Sequence, residues 1–415
     1  MNTMPAPRDV VLVTVDSLRA DHCGFMGYDR DVTPVLDDVA ASGTVFEHAI
    51  APAPETSGSV GSMLTGQYGN PALVSDGVDY RERTRTHMAA RWTLAERFRD
   101  RGYETAAFTA NPWTSRYFGF EEGFDHFEDF MDESLSSEFV REGRLGRGTV
   151  GTLYSLVTNW MQGQDMFMDW EVVADAFFSW LESVESPFFC WIFLVDVHMP
   201  YLPPAAYRSR SSLTTTMANA SLYAGQMNVP GTSLAHGALI DAYDDTIRYT
   251  DAFVGDLVDA LDDAVLVVTA DHGEGFGERG LYGHGPQIAE SALHVPLVVH
   301  NGPAGRIERP FSLLRLPELL TTLADDDPIE SLAEPTVWAR NYDPAIAIRG
   351  RNFRYEWRPE AGRVWIADDG DWVETDAPEL ERLADRLRVY HVETERERAR
   401  VMEAADAVSE MDVAL

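Results

Sequence analysis

The chain has 415 residues, 45% of them hydrophobic, enough to bury a large core in one α/β domain with a smaller unit attached. Its formal net charge is −35, and all 33 basic residues are arginine, with no lysine anywhere. So acidic a surface excludes nucleic acid as a natural partner and suits high salt, where charge repulsion is screened over about 3 Å at 1 M; a halophilic, archaeal origin is the expectation.

Cys23 and Cys190 are the only cysteines, too few for a disulfide framework and too isolated for a zinc or redox motif. Residues 1–9 are polar and proline-bearing and leave no room for a signal peptide. The longest apolar runs, near 10–15 and 188–195, fall far short of the ~20 residues of a membrane span. A soluble, cytoplasmic protein without a membrane span is therefore expected.

In chain order, VVLVTV (10–15) reads as a buried parallel strand and TPVLDDVAASG (33–43) as a helix with Pro34 at its first position. TVFEHAIA (44–51) reads as the next strand, and SVGSMLTGQYG (59–69) as a helix stopped by its glycines. TLAERFRDRGY (93–103) is an amphipathic helix, followed by the strand ETAAFTAN (104–111). Residues 130–180 read as an insertion or lid, Gly- and Arg-rich at 143–152 and helical towards 184. FFCWIFLVDVH (188–198) is a central strand, 206–236 a polar surface loop, and 237–262 a long helix. That helix leads to the strand before Asp271, and HVPLVVH (294–300) closes the main domain.

Beyond Arg309, short alternating pieces such as FRYEW and RVWIAD predict a small antiparallel sheet, packed by an arginine- and glutamate-rich helix at 378–405. Strands alternating with helices predict a doubly wound, mostly parallel sheet with helices on both faces. The expected organisation is a catalytic domain over 1–308 and a small α+β subdomain over 309–415.

Three segments carry chemistry. TADHGEGFGERGLYGHG (269–285) places Asp271 and His272 directly after an apolar strand, and Asp16 ends the first strand. Parallel strands present their functional groups at their carboxyl ends, so these residues can converge across more than 250 positions of sequence. Carboxylate and imidazole together suit a divalent cation; an aspartate after a strand also serves as a helix N-cap. The third segment, ETSGSVGSMLTG (55–66), offers Thr56, Ser57 and Ser59 either as caps of a helix or, beside a cation, as a nucleophile with anion-binding helix amides. His198 and His284 fit ligands of a second ion, contacts to an anionic substrate, or hydrogen bonds within turns.

With these motifs in place, the chain resembles the sulfatase branch of the alkaline phosphatase-like superfamily from about residue 8 to 370. The resemblance rests on VTVDSLRADHCGFMGY, the TPVLDDVAASG to LTGQYG stretch, TLAERFRDRGYETAAFTANPW, FLVDVHMPYLPP and VVTADHGEGFGERGLYGHG. It implies an alkaline phosphatase-like fold and a metal-dependent hydrolase or transferase working through a covalent intermediate. It also implies Asp16, Asp271 and His272 as ligands of one or two divalent ions (Mn, Zn, Ca or Mg), with Thr56 as both ligand and nucleophile.

The departures shape the expected chemistry. The family's formylglycine arises in a Cys/Ser-x-Pro-x-Arg signature, whose positions here hold Thr56, Gly58 and Val60. Threonine cannot yield that aldehyde, because its Cβ carries a methyl group, so no formylglycine is expected. The Gly-Lys-Trp-His segment of the family is replaced around Thr109-Ala110-Asn111, and Ser17 stands where a second acidic ligand is usual. The pattern resembles the phosphodiesterases and phospho-headgroup transferases of the superfamily. The reading is thus an enzyme acting on phosphate or sulfate esters of small molecules, glycans or lipid headgroups through Thr56. His198 and His284 are its catalytic and substrate-binding partners, and Ser57 is a further substrate contact. Two alternatives stand beside it: a sulfuric ester hydrolase without formylglycine, and an inactive sulfatase-like binding protein.

Overall fold

Continuous apolar runs such as VVLVTV and FFCWIFLV cannot leave a face to water, so they form strands covered on both sides. In the computed structural model, which describes residues 7–69, 77–130, 169–223, 233–280, 282–285, 287–341, 345–368 and 371–410, they lie at the middle of the main sheet. Its strands are β1 (Val10–Val15), β2 (Thr44–Phe46), β4 (Glu104–Thr109), β5 (His126–Glu128), β6 (Phe188–Leu194), β7 (Val265–Ala270), β9 (Leu297–His300) and β10 (Gly305–Ile307). The spatial order is β10-β2-β9-β7-β1-β6-β4-β5. From β7 to β5 all neighbours are parallel, while β9 runs antiparallel to both β7 and β2. A three-stranded sheet combines β3 (Ala49–Ile50), β8 (His294–Val295) and β11 (Phe311–Ser312).

Residues 44–51, expected as one strand, are thus two strands in different sheets, with Glu47 and His48 turning the chain between them. HVPLVVH divides in the same way at Pro296, which lacks the N–H that a ladder needs. The expected loop at 206–236 contains the helix Ser212–Tyr223, whose Thr215, Ala218, Asn219 and Leu222 are buried on one side. The long helix behind the sheet runs Ser233–Ala260, starting earlier than the sequence suggests. Of the insertion at 130–180, residues 131–168 lie outside the described residues, and the helix Trp170–Leu181 follows them.

Local signals account for several boundaries. Thr93 caps the helix Leu94–Asp100 in a reciprocal capping box with Glu96. The helix Thr56–Thr65 ends at Gly66, whose φ of 72° is the left-handed conformation that glycine adopts without strain. The main core lies on both faces of the large sheet and extends to Leu316, Leu319, Leu320 and Leu323 of the helix Leu316–Ala324.

The remaining strands are β12 (Thr336–Arg340), β13 (Ile346–Gly350), β14 (Phe353–Arg358), β15 (Ala361–Asp368) and β16 (Asp371–Glu374), an antiparallel meander. The helix Pro378–Glu410 packs on it around Trp338, Ile348, Tyr355 and Ala384. A large mostly parallel sheet with a separate small antiparallel sheet and its helix is the architecture expected from sequence. Among the described residues, no helix is long and apolar enough to cross a membrane.

Candidate metal centre

Four adjacent strands, β4, β6, β1 and β7, deliver the site residues from their carboxyl ends. β1 is followed by Asp16, β7 by Asp271 and His272, β6 by Asp196 and His198, and β4 by Asn111. The helix Thr56–Thr65 starts beside them, with its first residue 8% exposed. Glu55 is the N-cap residue and makes no side-chain capping bond, so Thr56 and Ser59 are not caps. Instead Ser59 Oγ donates to the Asp271 carbonyl at 2.6 Å, tying the helix to the end of β7. Ser57, the next helical residue, is partly buried.

Asp16, Asp271 and His272 are completely buried, and one ligand atom of each lies within 4.8 Å of the others. His272 Nε2 is 3.6 Å from Asp16 Oδ1, 3.5 Å from Asp271 Oδ2 and 3.1 Å from Thr56 Oγ1. His272 Nδ1 faces the Gly273 carbonyl at 2.8 Å, and a carbonyl only accepts, so the ring proton sits on Nδ1. Nε2 is left as a lone pair aimed into the cluster, the arrangement a ligating histidine needs.

The supporting bonds fix each carboxylate. Asp16 Oδ2 accepts from Asn111 Nδ2 at 2.7 Å, and Asp16 Oδ1 from Ser17 Oγ at 2.8 Å. Asp271 Oδ1 accepts from the backbone N–H of Ser17 (3.2 Å) and His272 (2.9 Å), while its Oδ2 is buried without a hydrogen-bond partner. Ser17 has a positive φ of 64°, and Tyr243 holds it there by donating to the Ser17 carbonyl at 2.7 Å and accepting from Arg19 N–H at 2.9 Å.

The electrostatics ask for positive charge. Burial, with Asp271 alongside, raises the Asp16 carboxyl above its ordinary value, and burial pushes Asp271 up to about 6. Burial also pushes His272 down to about 4. Two buried carboxylates, a neutral imidazole with a free lone pair and an orphaned carboxylate oxygen fit a divalent cation such as Zn, Mn, Mg or Ca.

A histidine layer adjoins the cluster. The His284 ring lies 4.7 Å from that of His272 and 4.8 Å from that of His198. Burial works against a charge on His284, but Glu274, 3.5 Å from its Nδ1, outweighs it and raises the imidazole to about 9. Glu274 is itself completely buried and accepts from Tyr201 Oη at 2.9 Å; burial opposes its charge, yet His284 holds the carboxyl below its ordinary value. His198 is lowered by burial, and its Nδ1 donates to the Met199 carbonyl at 2.6 Å. Arg19 is committed to Asp21 and Glu278, each at 2.7 Å, and acts as a structural ion pair.

Every sequence-predicted residue, Asp16, Thr56, Ser57, His198, Asp271, His272 and His284, therefore lies in or next to one cluster. Asn111, Glu274 and Tyr201 complete it and were not singled out from sequence. Asn111 had a usable signal, since it follows a strand end next to β6, and Glu274 lies two positions beyond His272 in the same glycine-rich loop.

Comparison with known proteins identifies the family and the fold. The sequence model of the Sulfatase family matches residues 8–306. No curated protein matches the chain by sequence. Among solved structures, the phosphonate monoester hydrolase of Agrobacterium radiobacter is similar with a TM-score of 0.63 at 17% identity, covering 94% of this chain and 96% of that one. A 2-O GAG sulfatase is similar with a TM-score of 0.63 at 15% identity, covering 95% and 94%. The lipoteichoic acid synthase LtaP from Listeria monocytogenes is similar with a TM-score of 0.61 at 15% identity, covering 94% and 92%.

Proposed function

The chain belongs to the sulfatase family, and from that premise we propose that it is a metal-dependent hydrolase or transferase of phosphate esters that works through a covalent bond to Thr56. The observation that carries this reading is the hydroxyl of Thr56, 3.1 Å from His272 Nε2 in a buried cluster whose Asp271 Oδ2 has no partner. The preference for phosphorus rests on Thr56 standing where formylglycine would form; structural relatives named for phosphonate and lipoteichoic acid chemistry share the fold, as does a sulfatase of equal TM-score.

Asp16, Asp271, His272 and Thr56 would hold the cation. When bound, it supplies Lewis acidity that lowers the hydroxyl pKa and withdraws charge from the ester. Thr56 Oγ, its proton released to solvent when the cation binds, would then attack phosphorus, forming the Oγ–P bond as the bond to the leaving oxygen breaks. His284, kept cationic by Glu274, offers one proton to that oxygen and a positive charge to the anion. His198 carries its proton on Nδ1, so its Nε2 can accept one from the water that cleaves the Oγ–P bond and restores Thr56. An acceptor alcohol in place of that water makes the reaction a transfer.

The test is turnover of chromogenic phosphodiester, phosphomonoester and sulfate ester substrates with Mn or Zn at high salt, beside Thr56→Ala. The variant keeps the other three ligands, so it is expected to bind metal more weakly, and at saturating metal to lose activity by roughly 10⁴-fold or more. Turnover of sulfate esters alone would replace phosphorus by sulfur in this reading. An absence of any turnover, with no bound metal by elemental analysis, would remove the enzyme.

A further inference from the structure

The glycine-rich turn after His272 is held in place by a segment that contributes nothing to the cluster itself. Gly273 N–H donates to the Ala292 carbonyl at 2.9 Å, and Glu274 N–H to the Ser291 carbonyl at 3.0 Å. The approach is so close that a Cβ on Gly273 would lie 2.0 Å from the Ser291 carbonyl oxygen. Both acceptors belong to the four-residue helix Glu290–Leu293, so its position sets where the Glu274 side chain can point. Arg19 also donates to the Glu274 carbonyl, at 3.0 Å.

The short helix is anchored to the C-terminal sheet through Glu290. Arg349 of β13 lies 3.1 Å from Glu290 Oε1, Arg354 of β14 lies 3.7 Å from Oε2, and His294 Nδ1 is 3.8 Å from Oε1. The Arg349 side chain is only 4% exposed. Its guanidinium lies over the Trp372 ring at 4.3 Å, donates to the carbonyls of Gly350 and Arg351, and reaches His48 Nδ1 at 3.2 Å. An arginine fixed by stacking and several directed bonds is a rigid strut, unlike a surface ion pair whose long side chains remain mobile.

We infer that Arg349, acting through Glu290 and the Ser291 and Ala292 carbonyls, is a positioning residue for the Glu274–His284 pair, so that the C-terminal sheet forms the rear wall of the catalytic centre. The kinetic consequence rests on the ester-transfer reading above; the structural consequence does not. Without the strut, Glu290 keeps only its longer contacts to Arg354 and His294, and the short helix is held less firmly against the turn. Glu274, still bonded to Tyr201, is then less tightly registered against His284, and the imidazole is less well aimed at the leaving oxygen.

The experiment follows hydrogen–deuterium exchange in peptides spanning 271–276, together with steady-state kinetics, in Arg349→Met, Arg349→Lys and the isosteric Glu290→Gln. Exchange at the Gly273 and Glu274 amides should rise about tenfold in Arg349→Met and Glu290→Gln, with distant β1 and β6 peptides unchanged. The kcat should fall about 10- to 100-fold with little change in KM, and Arg349→Lys, which keeps the charge but not the fork, should recover part of both effects. Wild-type exchange rates at those two amides in folded variants would overturn the inference, as would a uniform rise across the whole chain. If wild type cleaves no ester, the exchange result still decides the strut, so the two readings fail separately.

Discussion

Removing the Asn111 side chain should weaken the metal centre without touching a ligand. Its Nδ2 donates to Asp16 Oδ2 at 2.7 Å, and its Oδ1 accepts from Trp113 N–H at 2.8 Å, which fixes which way the amide faces. That bond holds the carboxylate rotated so that Oδ1 lies towards His272 Nε2, 3.6 Å away. A hydrogen bond to a charged group contributes about 1.5–3 kcal/mol. Groups that orient a metal ligand in this way alter affinity about 10- to 100-fold when removed, and Asn111→Ala should weaken cation binding within that range. The loss should grow as pH falls, because burial and Asp271 already raise the Asp16 carboxyl, and without its donor the proton competes better with the metal. Calorimetric titration of Zn or Mn into metal-stripped protein, at two pH values, measures both effects. The loss of the Trp113 acceptor costs about a further 1 kcal/mol of folding stability, so melting curves must show that the variant is folded. A folded Asn111→Ala protein that binds metal as tightly as wild type, with unchanged pH dependence, would refute this account of Asp16.

Two pH predictions accompany it. In the proposed reaction His284 acts as the protonated form, and, against its burial, Glu274 raises it to about 9, so kcat/KM should fall tenfold per unit above a limb at or below that value, the cation's own charge working against the proton; in His284→Gln the alkaline limb should vanish, and its persistence would assign it elsewhere. Asp196 is raised to about 8 by burial, and its Oδ2 has no hydrogen-bond partner. Its folded form therefore holds a proton that the unfolded chain releases near 3.8, so its stabilising contribution is complete below that value and lost as pH rises to about 8. Melting curves from pH 4 to 9 should show wild type losing ground to Asp196→Asn over that interval, and parallel curves would contradict the assignment.

The two strands that carry the acidic site residues are readable because their burial is total. Val10–Val15 and Val265–Ala270 carry no alternation, so their ends, and with them Asp16 and Asp271, stand out from the sequence. The breaks at Glu47-His48 and Pro296 are less legible, since a change of sheet depends on which neighbours the chain meets and not on its local pattern. The helix Ser212–Tyr223 reads as loop because its Ser, Thr and Asn residues compete for backbone hydrogen bonds; in the fold, Asn219 instead exchanges bonds with the Tyr201 backbone and anchors the helix. Glu274 and Asn111 escaped notice for a related reason. A carboxylate or amide acquires its role from the atom it faces, and Tyr201, His284 and Asp16 are all remote from local pattern.

The central place of β1 between β6 and β7 also orders the events of synthesis. Residues 1–264 emerge before β7 exists, so through that whole interval β1 lacks one of its two neighbours and Thr56 lacks His272. A nascent chain thus carries Asp16 without the partners that would make it a metal trap. The proposed ion could be captured only when the late strand docks beside the early one, and capture would then fasten the two in place. On the proposed function, metal loading would be a mark of completed folding, and stripping the ion should first loosen the seam between β1 and β7.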